Sequence, residues 1–232
     1  MYKSLITLLV LCAMPVFASQ FDISNFDYEK YGHYKYKVLA DGKSFTEEIQ
    51  WSKLDSDDFQ VEAIRNDKSG DLHFRKQIIF DSNANPKEAY RYTKDGKIEI
   101  EVKYDYDKKK VYMKKLDGNS YDRKTLKLVK GLIQDGFALL YTVNFMDFDK
   151  KISFTGYSAT VQKSGSMNFE RIGTKKLATK AGEFECYEYK QAFDGLLSLV
   201  VPKMYYYIDK ETRVLVKFEV SDTSYELVEI LK

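Results

Sequence analysis

The chain has 232 residues and a formal net charge of +2; 44% of it is hydrophobic and 15% aromatic. That balance offers no field for capturing nucleic acid or an acidic surface, and only three prolines exclude a linker or disordered composition. A chain of this size can bury about 70% of its unfolded surface in one core.

The N-terminus reads MYKSLITLLVLCAMPVFASQ. Lys3 precedes an apolar run from Leu5 to Met14 that is too short to cross a bilayer, and Val16-Phe17-Ala18 offers a cleavage site. Residues 1–18 are therefore read as a secretory signal peptide and 19–232 as a single β-barrel-like domain, periplasmic and not membrane-spanning after cleavage. Leu11 is not the small residue that a lipidation motif needs before Cys12. Cleavage leaves Cys186 as the sole cysteine, so packing and sheet hydrogen bonds, not a disulfide, must hold the fold.

Period-two alternation dominates the rest. Tyr34, Tyr36 and Val38 alternate with Lys35 and Lys37; Ile98, Ile100, Val102, Tyr104 and Tyr106 alternate with Glu99, Glu101, Lys103 and Asp105. Val214, Val216, Phe218 and Val220 share a face, with Leu215 the exception. A strand with one wet face explains such runs and a helix does not. Turn pairs separate them: Asp41-Gly42, Ser69-Gly70, Asn85-Pro86, Asp95-Gly96, Asp117-Gly118, Ser164-Gly165 and Ala181-Gly182. The pattern predicts about a dozen strands in an antiparallel meander, forming a β-barrel or a strongly curved sheet with one buried apolar helix. That helix is placed near 135–147, where Phe137, Leu140, Tyr141, Asn144 and Phe148 recur at helical spacing and Asp135 can cap the start. Two buried strands are the alternative reading of the same run.

Few residues suggest chemistry. Cys186 lies among Glu183, Glu185 and Glu188, which disfavour a thiolate, and alternation sets it beside Phe184 as a small hydrophobe. His33 and His73 fall on polar faces, and no metal-ligand spacing, nucleophile elbow or phosphate loop occurs. The reading therefore assigns no catalytic residue, no metal and no cofactor. Tyr205-Tyr206-Tyr207 puts aromatic rings on both faces of one strand, so both should be covered. Lys108-Lys109-Lys110 reads as a solvated hairpin tip.

Two stretches carry a resemblance: Thr179-Lys180-Ala181-Gly182-Glu183-Phe184-Glu185-Cys186-Tyr187, and the run from Tyr207 to Glu219 containing Asp209, Arg213 and Val216. They resemble a family of exported bacterial β-barrel proteins known only as a domain of unknown function, over roughly 120–232 and more loosely before it. Lys180 stands where that family usually has proline, and Ile208 where it has a small polar residue. The resemblance implies fold and compartment and no catalytic residues. A more distant likeness is to the periplasmic lipoprotein carriers. The functional expectation is non-catalytic binding of an apolar or lipid-like ligand, in a cavity lined by Phe137, Leu140, Tyr141, Phe145, Cys186 and Tyr206. The alternative is an envelope assembly or scaffolding protein that meets its partner through a surface or a strand edge.

Overall fold

The computed structural model describes residues 27–129, 133–135, 139–142, 151–158, 160 and 162–231. After the helical turn α1 (Tyr28–Tyr31), eight strands follow one another: β1 (His33–Ala40), β2 (Lys43–Lys53), β3 (Phe59–Asn66), β4 (Leu72–Phe80), β5 (Pro86–Tyr92), β6 (Ile98–Asp105), β7 (Lys110–Asp117) and β8 (Ser120–Lys127). Then come β9 (Ile133–Asp135), α2 (Leu139–Thr142), β10 (Ile152–Ser158), β11 (Lys163–Thr179), β12 (Gly182–Phe193), β13 (Met204–Asp209), β14 (Leu215–Val220) and β15 (Thr223–Ile230).

All fifteen strands belong to one sheet. Its spatial order runs from β8 back to β1, then from β15 back to β9, so the first and last strands of the chain meet in its middle. Neighbours are antiparallel except β9 and β10, which run parallel. The sheet does not close: β8 and β9 stand at its two ends. Of the two architectures expected, the open curved sheet is the one observed.

The alternation read from the sequence becomes the two faces of this sheet. Tyr34, Tyr36, Val38, Ile100, Val102 and Tyr104 are buried on one face, while Lys37 and Lys103 are exposed on the other. Hairpin turns follow the dipeptide signals. Asp41 (φ 52°) and Gly42 (φ 70°) both take the left-handed conformation that a tight two-residue turn between right-twisted strands requires. Ser164-Gly165 departs from expectation. It lies inside β11, where Gly165 faces Gly156 of β10. A Cβ on Gly165 would sit 3.1 Å from a ring carbon of Phe193, so here glycine serves a close approach rather than a turn. Val216 departs as well. The pairing of β13 with β14 slips between Tyr207 and Ile208, which opposes Ile208 to Leu215. Leu215 therefore joins the main core, and Val216 packs on the other face. A bulge resets the phase of a strand, which plain alternation does not anticipate.

The predicted helix is also corrected. Asp135 does not cap it but ends β9, opposite Tyr157. The helical part described is the four residues Leu139–Thr142. Phe137, Asn144, Phe145 and Phe148 lie outside the described residues.

Buried side chains from both flanks of the sheet form the main core. The flanks meet at a seam that no strand ladder spans among the described residues. Tyr157 Oη on β10 donates to the Lys127 carbonyl (3.0 Å) and accepts from the Val129 amide (3.3 Å). Gln162 Nε2 donates to the Asp122 carbonyl (3.4 Å), and Lys115 Nζ to the Thr160 carbonyl (3.0 Å). Tyr104 meets Tyr157 edge to face across the same seam.

Candidate functional site

The inner face of the sheet is a belt of aromatic rings in mutual contact. Tyr34 meets Tyr36 at 5.7 Å between ring centres, and Tyr36 meets Tyr225 at 6.1 Å. Tyr225 then meets Phe218, Phe218 meets Tyr206 at 4.8 Å, Tyr206 meets Phe169, and Phe169 stacks on Tyr189 at 5.1 Å. At the other end Trp51, the only tryptophan, stacks on Phe80 and donates its indole N–H to Tyr34 Oη at 2.8 Å. Offset and edge-to-face pairs of this kind each add about 0.5–1.5 kcal/mol beyond the area they bury. Polar tips within the belt are satisfied: Tyr36 Oη donates to the Leu215 carbonyl (2.6 Å), and Tyr206 Oη to Gln191 Oε1 (2.5 Å).

A charged cluster interrupts this apolar face. Glu47 is completely buried, between Phe45 and Ile49 on the inner face of β2. Arg65, directly opposite on β3, reaches it through Nε (2.7 Å) and a terminal guanidinium nitrogen (2.6 Å). The same guanidinium donates to Tyr225 Oη and lies 4.4 Å over the Phe74 ring. Tyr141 Oη on α2 donates to Glu47 Oε1 at 3.0 Å and accepts from Lys76 Nζ at 3.3 Å. Burial works against the charge on Arg65, but the adjacent Glu47 carboxylate outweighs it and holds the guanidinium above its ordinary range. Burial first, and Glu47 next, push the phenols of Tyr141 and Tyr225 well above theirs, so both stay protonated and act as donors or neutral acceptors. The arrangement offers no nucleophile. It offers a fixed polar anchor in an aromatic wall, and it ties α2 to that wall.

The residues expected to line a cavity divide between two faces. Tyr141 and Tyr206 are buried in the main core, and Leu140 packs against it. Phe137 and Phe145 lie outside the described residues. Cys186 does not face Tyr206. It sits opposite Lys175 and Asp209, and it packs with Tyr207 and Val216 in a separate small cluster on the outer face. The cause is the pleat: Tyr206 opposes Tyr189, three positions along β12 and hence on the other side. Burial, reinforced by Asp209, pushes the Cys186 thiol up to about 12, so it is a small hydrophobe at neutral pH. Tyr206 and Tyr207 are buried on opposite faces, as the aromatic triplet implied, with Lys175 Nζ 5.2 Å over the Tyr207 ring. His33 bonds Glu48 at 2.7 Å, and the exposed His73 stacks on Phe45.

Sequence reasoning missed Glu47, Arg65 and Tyr225. A signal was present, because each charge occupies an apolar-phase position: Phe45-x-Glu47-x-Ile49 and Val61-x-Ala63-x-Arg65.

Residues 69–228 match the protein family of unknown function DUF3108. The chain belongs to that family. The match begins just before β4 and runs into β15, so it takes in Tyr141, Tyr206 and Tyr225 but not Glu47 or Arg65. Among solved structures, the chain is similar to a β-barrel-like protein of the domain of unknown function DUF1849 from Brucella abortus. That likeness has 9% identity and a TM-score of 0.51, and covers 86% of this chain and 97% of the other. It is similar also to the hypothetical lipoprotein YmcC from Escherichia coli, at 7% identity and a TM-score of 0.38, over 86% and 85% of the two chains. The first likeness shows a shared fold and nothing more. No curated protein is significantly similar to the chain.

Proposed function

We propose that this protein is an exported, non-catalytic binding protein that takes an apolar or lipid-like molecule against the aromatic inner face of its open sheet. The observation that carries the reading is the seam. Among the described residues, the β7–β8 hairpin is joined to β10 and to the turn that follows it by the side chains of Tyr157, Gln162 and Lys115 rather than by a ladder of backbone bonds. The polar bonds across this seam, at about 0.5–1.5 kcal/mol each, are fewer than a strand ladder would supply, and the rings Tyr104 and Tyr157 packed there complete its closure, so it is the weakest joint through which a guest could reach the inner face. Behind it stands a wall of rings of the kind that lines apolar ligand sites, with the Glu47–Arg65 cluster as a fixed polar contact. The apolar leader read at residues 1–18 supports the periplasm as the compartment.

Native mass spectrometry of protein purified from the host envelope, followed by organic extraction, tests the reading. A stoichiometric extra mass that extracts as lipid is expected. Bare protein that also fails to change its Trp51 fluorescence across a panel of added lipids would overturn it.

A second reading, an assembly protein working through a strand edge, is favoured by β8. That strand ends the sheet, and six of its eight residues are exposed. Capture of a specific envelope protein by bare, lipid-free protein would favour it.

A further inference from the structure

The small net charge conceals a strong local one. Between Lys108 and Lys127 the chain carries eight cations (Lys108, Lys109, Lys110, Lys114, Lys115, Arg123, Lys124, Lys127) against two acids, Asp117 and Asp122. This twenty-residue stretch thus holds an excess of six positive charges, while the whole chain has +2. It folds as the β7–β8 hairpin with the turn leading into it, at one end of the sheet. Lys114 pairs with Glu101, Lys108 with Asp105, and Lys115 bonds a carbonyl. Lys109, Lys110, Arg123, Lys124 and Lys127 are exposed and make no ion pair among the described residues. Pairing sets Arg123 beside Lys114 and Lys127 beside Lys110, so like charges stand side by side; Glu101 and Asp105 on β6 face Lys114 and Lys110, which leaves Arg123 and Lys127 as the outer cations, unpaired among the described residues. Tyr106 and Tyr112 are each 38% exposed, and Tyr121 is half-buried with Lys114 Nζ 4.2 Å over its ring. A shallow groove on this end of the sheet is lined by the cations Lys103, Lys114, Arg123 and Lys124 with Tyr112, and by one acid, Glu101.

We propose that this hairpin docks the protein on an anionic phospholipid surface. Charge complementarity requires an anionic partner. Seven of the eight cations are lysines, hydrated point charges that suit a diffuse layer of phosphates better than the bidentate recognition of single carboxylates, for which arginine is the better residue. Tyrosines interspersed with the lysines match the headgroup level, where an amphipathic ring keeps one end wet. The expectation, drawn from total charge, that the chain lacks a field for an acidic surface is thereby replaced by a local one. The proposal stands on the hairpin's charge and does not depend on a ligand being bound inside.

The test is sedimentation of the purified protein with vesicles of phosphatidylcholine alone and of phosphatidylcholine with phosphatidylglycerol, at low and high salt. Binding is expected only to the anionic vesicles, weakened by salt. Each basic residue at such a surface contributes about fivefold, so Arg123→Gln with Lys124→Gln and Lys127→Gln should weaken binding about a hundredfold. The same change at Lys37, Lys43 and Lys68, exposed elsewhere on the sheet, should weaken it far less. These surface positions leave the core untouched, and an unchanged circular dichroism spectrum verifies that. Absence of binding to anionic vesicles would overturn the proposal, as would binding indifferent to the hairpin substitutions. Binding to a polyglutamate peptide but not to vesicles would overturn it too, and would identify an acidic polypeptide as the occupant.

Discussion

Replacing Arg65 by methionine probes the most costly feature of the interior. Glu47 is fully buried, and Arg65 provides two of its contacts, at 2.7 and 2.6 Å; Tyr141 provides a third. Methionine keeps the apolar contact with Phe74 but leaves the carboxylate without its counter-charge. Breaking a buried pair from one side costs about 3–5 kcal/mol, because the remaining ion is neither solvated nor compensated. For a chain of this size that corresponds to a fall in Tm of about 6–20 °C. The double variant Glu47→Leu with Arg65→Met removes both charges and so the uncompensated ion; at least half of the loss should return, since apolar replacement of a whole buried pair is often neutral or stabilising. Urea unfolding followed through Trp51, buried in the same core, measures both. A loss below about 1 kcal/mol for Arg65→Met, the scale of an exposed pair, would refute the reasoning. So would a double variant as unstable as the single one.

Three further outcomes are expected. Cys186, with its thiol pushed up to about 12 by burial and then by Asp209, should resist alkylation at neutral pH in the folded protein and react at once in urea; brisk labelling under native conditions would contradict its placement. The phenols of Tyr36, Tyr141, Tyr206 and Tyr225 are all held above their ordinary range, chiefly by burial. The unfolded chain releases these protons from about pH 10 upward while the folded one retains them, so stability is full below that pH and falls as pH rises past it. Tyrosinate absorbance should therefore show a late set of phenols that ionise only as the fold is lost, and a single reversible titration of every tyrosine near pH 10 would exclude this. Tyr157→Phe removes both seam bonds of that hydroxyl, to the Lys127 carbonyl and from the Val129 amide. Amide exchange should then quicken in β8 and β10 and stay unchanged in β1, β2 and β15, whereas uniform acceleration would deny that the seam opens as a local unit.

Much of the fold was legible because a period of two survives in a sheet with one buried face. The runs at Tyr34–Val38 and Ile98–Tyr104 became strands with the faces expected of them. What escaped has identifiable causes. The slip opposite Ile208 reversed the phase of Val216, and a slipped register leaves no compositional mark. Gly165 read as a turn because glycine serves close packing and turning alike. The meeting of β1 with β15, and the seam that joins the β7–β8 hairpin to β10 and the turn after it, bring together residues far apart in sequence, beyond the reach of any local pattern. The candidate site was half visible. Tyr141 and Tyr206 were found as large aromatics in apolar runs, while Cys186 was joined to them although the pleat turns it to the opposite face. Glu47 and Arg65 do not stand out among the chain's many charges, since pairing across two strands is what allows such residues to be buried.

The central claim is that the aromatic inner face holds an apolar guest. Native mass spectrometry of the protein taken from its own envelope, with lipid analysis of whatever is released, tests it most directly. The account predicts one apolar molecule per chain, lost when the core is unfolded. Protein of bare mass, with no lipid able to perturb Trp51, would contradict it.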